Sequence, residues 1–239
     1  MRILEGKGII KNFGGLTALA SVDFHIEPGE ILGLIGPNGA GKTTLFNLIS
    51  GSLVPTSGTI KFKGENITGL KPHRICRKGI ARTFQLVKLF GNMTVLENIL
   101  LGGLFGPSTG SPRSHTKKAC LDLLEFVGLS EMKENLAKDL TIVNQKRLEA
   151  ARALATKPEL LLLDEFMAGL NPTEVALAIE LIKKIRNLGV TIIMIEHVMK
   201  VIMDVSDRIV VLHHGEKIAE GTPEEIAADQ MVIDVYLGT

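Results

Sequence analysis

The chain has 239 residues, with 27 Lys and Arg against 26 Asp and Glu, a net charge of +1 and 45% hydrophobic residues. This is globular composition, which excludes a disordered or fibrous chain. The near-neutral charge argues against a nucleic-acid footprint, which needs a strongly basic face, and with no Trp and one Tyr there is little surface for stacking on single-stranded bases.

The first seven residues contain no apolar h-region, so no signal peptide is expected. Ile31 to Ile35 is a short apolar run that ends in a Gly/Pro/Asn loop, and Thr43 to Ser50 then shows helical spacing through Leu45, Leu48 and Ile49 before Gly51. Between about Gly91 and Thr156 strand character is lost. Thr94 to Glu97 reads as a capping box, Gly106 to Pro112 as a loop, and Lys117 to Val127 and Asn144 to Leu154 as helices. Leu160 to Leu163 is a second apolar strand, ended by Asp164 and Glu165, and Asn171-Pro172 starts a helix expected to run to about Leu188. Val190 to Ile195 reads as a strand buried on both faces, Arg208 to Leu212 pairs with Lys217 to Glu220 as a hairpin, and the last helix is expected to start near Pro223. No run reaches the roughly 18 apolar residues of a membrane span. Cys76 and Cys120 lack metal-ligand spacing and read as free thiols in a reducing compartment.

These signals give an α/β class: a P-loop core of parallel-sheet βα units over 1–88 and 157–239, an antiparallel β-rich N-terminal part, and an inserted helical subdomain over 89–156. Gly36-Pro37-Asn38-Gly39-Ala40-Gly41-Lys42-Thr43 satisfies G-x-x-x-x-G-K-[ST], after a strand and at the head of a helix. Glycines let several backbone N–H groups converge on one phosphate, and the helix N-terminus adds roughly half a positive charge. Lys42 supplies a full charge to the β- and γ-phosphates, and the Thr43 hydroxyl is placed for Mg²⁺, with Thr44 next to it. Asp164, at the carboxyl end of a buried strand, is the second metal candidate, and Glu165 can address a water in line with the γ-phosphate.

With these residues the chain resembles the ATP-binding subunits of ABC transporters over nearly its whole length. Lys42 and Asp164 lie 122 positions apart, similar to the family, where the helical subdomain intervenes. The resemblance implies roles for further residues. Ala81-Arg82-Thr83-Phe84-Gln85 resembles the Q-loop, which puts Gln85 near Mg²⁺ and the attacking water. Ile195-Glu196-His197 resembles the switch segment, which puts His197 on the γ-phosphate. Ala168 to Asn171 matches the D-loop, and Phe13 resembles the aromatic that stacks on adenine. The stretches Asn12 to Leu19, Ala81 to Gln85 with Leu89-Phe90 and Met93 to Asn98, Ala168 to Pro172 and Val235 to Gly238 look like the branched-chain amino acid uptake branch. That branch implies a peripheral ATPase on the cytoplasmic face of a prokaryotic membrane. It would be paired with a second ATPase subunit and two permease subunits, and indirectly with a solute-binding protein; related branches handle urea or other amides.

One segment departs from the family. The signature, Leu-Ser-Gly-Gly-Gln or a variant, aligns with Leu140-Thr141-Ile142-Val143-Asn144. Thr141 still suits an N-cap and the helix dipole at Asn144 survives, so both remain candidates for the partner's nucleotide. Ile142 and Val143 are β-branched where glycines permit close backbone approach, which implies a weakened signature and, in a heterodimer, two unequal ATP sites. Phe166, where the family usually has Pro, is a smaller departure. The competing functions are a soluble ATPase of the same type acting on DNA or ribosomes, and a weakly hydrolysing regulatory subunit. The first would be expected to carry tandem cassettes, coiled coils or a basic arm. Asp164, Glu165 and His197 weigh against the second.

Overall fold

A computed structural model describes residues 2–106 and 117–237 of the chain. At the N-terminus β1 (Leu4–Phe13) and β2 (Leu16–Ile26) pair antiparallel across Gly14-Gly15. With β4 (Ser57–Phe62) and β5 (Glu65–Asn66) they make the expected antiparallel sheet, in the order β2-β1-β4-β5. A second sheet contains β3 (Ile31–Ile35), β6 (Ile80–Arg82), β7 (Leu160–Asp164), β8 (Thr191–Ile195), β9 (Arg208–His213) and β10 (Glu216–Gly221). Its order is β10-β9-β3-β8-β7-β6; every pair from β9 to β6 is parallel, and β10 closes the edge as the predicted hairpin with β9.

The parallel strands read as unbroken apolar runs because both faces are covered. Leu32, Leu34, Leu160, Leu162, Ile193 and Ile195 pack toward the antiparallel sheet and α1 (Lys42–Ile49). Ile31, Ile35, Leu161, Leu163, Ile192 and Met194 pack toward the helices on the other side. Burying one such side chain fully is worth about 1.5–3 kcal/mol.

α2 (Pro72–Lys78) precedes β6, and α3 (Val95–Gly103), α4 (Lys117–Phe126) and α5 (Ile142–Ala155) come between β6 and β7. The capping box at α3 is formed: Thr94 Oγ1 accepts from the Glu97 N–H at 3.1 Å, and Glu97 Oε2 accepts from the Thr94 N–H at 2.7 Å. Asn171 and Glu174 do the same at the head of α6 (Pro172–Asn187). α7 (Met199–Val205) follows β8.

Two expectations are corrected. The helix placed at Asn144 begins at Ile142, because Thr141 is extended and its carbonyl accepts the Gln145 N–H at 2.9 Å, closing the first turn two residues earlier. The single last helix is two, α8 (Pro223–Ala228) and α9 (Gln230–Leu237), separated at Asp229, whose extended backbone stops the first while its Oδ1 accepts the Val232 N–H at 3.1 Å in the second. Positions 107–112 of the expected loop lie outside the described residues.

Candidate functional site

Because β8 lies between β3 and β7, the carboxyl ends of three neighbouring parallel strands open on one place. β3 delivers the loop Gly36 to Thr43, β7 delivers Asp164 and Glu165, and β8 delivers Glu196 and His197. Ligands in open α/β sheets bind at such strand ends. The cleft there has a volume of about 380 Å³ and is lined by Phe13, Asn38, Gly39, Ala40, Gly41, Lys42, Thr43, Thr44, Glu165 and His197, with Leu16 and Ala18 beside Phe13.

The loop takes the backbone its glycines were expected to allow. Gly41 caps α1 with φ +103°, and a Cβ there would meet the Ala18 carbonyl oxygen at 2.6 Å. Lys42 is buried and its Nζ donates to the carbonyls of Gly36 at 2.6 Å and Pro37 at 3.0 Å. Burial pulls its pKa down from the ordinary lysine value, against the opposing charges of Glu165 and Asp164.

Glu165 sits just past β7 in a left-handed backbone conformation, φ +48°, which a non-glycine residue adopts only when its surroundings hold it there. The surroundings are visible. Its N–H donates to the Ile195 carbonyl at 2.9 Å, and its own carbonyl accepts from Lys146 Nζ at 3.2 Å. Its carboxylate takes the Gln85 Nε2 donor on Oε2 at 2.7 Å and lies 2.9 Å from His197 Nε2 through Oε1. Gln85, Glu165 and His197, separated by up to 112 positions in the chain, are therefore one hydrogen-bonded group at the mouth of the cleft.

Asp164 is 3% exposed on its side chain, and its Oδ2 accepts from Arg82 NH2 at 2.6 Å. The same guanidinium donates to Asn47 Oδ1 at 2.7 Å and Ser50 Oγ at 3.1 Å on the far end of α1, and lies over the rings of Phe46 and Phe84. Nothing in the sequence motif marks Arg82 or Lys146, because their roles depend on which strands and helices become neighbours.

Phe13 projects at the cleft edge, 45% exposed, with Lys11 Nζ 5.0 Å from its ring centroid. Thr141 and Asn144 do not line this cleft. Thr141 stands at the N-cap of α5 with no side-chain capping bond, contrary to the role its hydroxyl suggested, and Asn144 Nδ2 lies 3.3 Å from Met132 Sδ. Ile142 is exposed at 55%, whereas Phe166 is buried in the helix-side core, which explains how an aromatic replaces Pro there.

The family profile described as ABC transporter matches residues 19–168, which contain the loop, Gln85 and Asp164. The chain belongs to the ABC transporter family of ATP-binding cassettes. A second profile, described as branched-chain amino acid ATP-binding cassette transporter, matches the cassette over 216–239. The cassette is 44% identical over 249 aligned positions to the high-affinity branched-chain amino acid transport ATP-binding protein LivG of Escherichia coli K12, covering 99% of this chain and 98% of that one. It is equally similar, with the same coverage, to the protein BraF of the same description in Pseudomonas aeruginosa. Among solved structures, an ATP-binding cassette of an ABC transporter in its ADP conformation superposes with a TM-score of 0.90 at 31% identity, over 100% of both chains.

Proposed function

We propose that this cassette is the ATP-hydrolysing motor of a membrane importer for branched-chain or related amino acids. The observation that carries the hydrolytic part is the Glu165 carboxylate, held by Gln85 and His197 at the mouth of the P-loop cleft. The solute class rests on the names of relatives 44% identical over nearly the whole chain and on the matching C-terminal segment.

In this reading the β- and γ-phosphates of ATP replace the Gly36 and Pro37 carbonyls as partners of Lys42, and the loop N–H groups of Asn38 to Thr43 surround them. Phe13 takes the adenine on its exposed face. A water placed in line attacks the γ-phosphorus, the bond to the β–γ bridging oxygen breaks, and Glu165 accepts the water's proton. Gln85 and His197 hold that carboxylate before nucleotide arrives, and exchanging it for the γ-phosphate frees Glu165 to take the water. Phosphoryl transfer asks the protein mainly for positioning and charge neutralisation, which the loop amides and Lys42 supply.

The residues present fit Mg²⁺. Arg82 engages one oxygen of Asp164, and the other has no hydrogen bond among the described residues, while Thr43 stands in the first turn of α1 and lines the cleft. Among the described residues no cluster of three or more His, Cys, Asp or Glu could hold a metal alone, and Mg²⁺ characteristically takes one or two protein oxygens with phosphate and water. Thr43, Asp164 and Gln85 would hold it, and it would neutralise charge on the β- and γ-phosphate oxygens.

Two cassettes face each other in this reading, each offering the start of its α5, with Thr141 and Asn144, to the nucleotide of the other. Ile142 and Val143 keep that approach loose, so a heterodimer has one weaker site. The elements over 89–156 move as a helical subdomain against the core of 1–88 and 157–239 and pass the movement to two permease subunits, served by a solute-binding protein outside. No helix among the described residues is long and apolar enough to cross a membrane, so attachment at the cytoplasmic face runs through the permeases. The test is uptake of labelled leucine, isoleucine and valine by cells of the source organism lacking the chain. Restoration by the parent but not by Glu165→Gln supports the reading; uptake unaffected by the deletion, with another solute lost instead, overturns the solute class.

A further inference from the structure

The branch-specific C-terminal segment makes contacts that neither a profile match nor a relative's name explains. The Tyr236 hydroxyl of α9 accepts the Gly36 N–H at 2.8 Å, across 200 residues of sequence. Gly36 is the first residue of the phosphate loop and holds φ +145°, and a Cβ on it would lie 2.0 Å from the Leu212 carbonyl oxygen of β9. In the turn between β9 and β10, the Gly215 N–H donates to the Ala40 carbonyl at 3.1 Å, and the Gly215 carbonyl in turn accepts the Ala20 N–H at 2.8 Å. The segment from Leu212 to Tyr236 thus touches the loop at its entry and at its middle. Two of these contacts are backbone and follow from where β9 and its turn must run. The third depends on a single side chain, that of the only tyrosine in the protein.

We propose that Tyr236 is a positioning residue for nucleotide binding: its hydroxyl fixes the Gly36 N–H and so holds the entry of the phosphate loop in the conformation whose later N–H groups converge on phosphate. The proposal rests on the reading of that loop as the ATP site. A loop ordered before the ligand arrives binds it more tightly, because less conformational freedom is lost on binding. Gly36 is the residue where this matters most, since a glycine at a positive φ has the widest choice of conformations when released. The second half of the loop is secured independently by the head of α1 and by Ala40, so removing the hydroxyl loosens the entry and leaves the rest of the fold in place.

The experiment compares the parent with Tyr236→Phe, which keeps the ring. Ile226→Val, on the buried face of α8, serves as a control for a general loss of stability with the hydroxyl intact. Two readouts are taken: amide hydrogen exchange at Gly36 in nucleotide-free protein, and affinity for a fluorescent ADP analogue with Mg²⁺. In Tyr236→Phe, Gly36 exchange accelerates at least tenfold, ADP affinity falls about threefold to tenfold, and the KM for ATP rises while kcat at saturating ATP stays within twofold. Ile226→Val keeps the parent's values for all of these. Unchanged Gly36 exchange, or a loss of ADP affinity no larger than in Ile226→Val, overturns the proposal. A parent that binds neither ADP nor ATP defeats the reading of the loop instead, and Gly36 exchange still decides whether the hydroxyl holds it.

Discussion

Glu165 is held at four atoms: N–H, carbonyl and both carboxylate oxygens meet partners from three parts of the chain, around Gln85, Lys146 and Ile195 to His197. That is how a strained φ is sustained, and it makes the carboxylate the residue whose chemistry can be removed without removing the site. Glu165→Gln should keep ATP affinity and lower turnover by about 10²–10⁴-fold, checked by nucleotide titration and single-turnover hydrolysis. Retention of most of the activity would take Glu165 out of this role. Arg82 is the other decisive side chain, because it is the buried partner of a buried carboxylate. Arg82→Met leaves Asp164 uncompensated and should cost about 3–5 kcal/mol in urea unfolding, partly recovered in the double variant Arg82→Met/Asp164→Asn. A loss below about 1 kcal/mol would show that the pair behaves as a surface bridge. At this scale the sequence reveals the residues of the loop, Asp164 and Glu165 through motif and position, and Gln85 and His197 through the resemblance to the family. It does not reveal Arg82, Lys146 or Tyr236, whose importance arises only when β6, α5 and α9 come to lie beside residues 82 to 200 positions away in the case of Asp164 and Gly36, and 19 away for Glu165.

Among the elements, α5 carries the departure from its family. Its N-terminus begins at Ile142, so Ile142 and Val143 occupy its first turn, where N–H groups point outward. In the proposed dimer a pair of β-branched side chains there hinders the approach of a phosphate to those groups. Ile142→Gly/Val143→Gly should therefore raise steady-state ATP hydrolysis in the assembled complex several-fold, whereas an unchanged or lower rate would show that the signature is not the weak half of the site. The two-residue error in the start of α5 has a physical source. Thr141, an N-cap residue by type, takes the N-cap backbone without using its hydroxyl, and β-branched residues inside a first turn give no start signal. The break at Asp229 escaped for a related reason, since the residue both ends α8 and caps α9 with no Pro or Gly to mark it.

At the scale of the molecule, strand order does the functional assembly. Placing β8 between β3 and β7 brings the loop, the acidic pair and His197 to one edge of a sheet whose two faces are both buried. The parallel core was legible because strands buried on both faces are continuous apolar runs. The N-terminal strands were legible only as an antiparallel β-rich region without strand limits: β1 carries repeated register shifts and glycines at positions 6 and 8, which blur the alternation that normally reveals a strand. The assembly so formed drives a membrane importer. The most direct measurement is to capture tagged Glu165→Gln protein from its native cells in mild detergent with ATP and identify its companions by mass spectrometry. Two polytopic permease subunits should come with it, together with a second ATPase subunit or a further copy of this chain. Ribosomal proteins or DNA-repair factors, with no membrane subunit, would contradict that role.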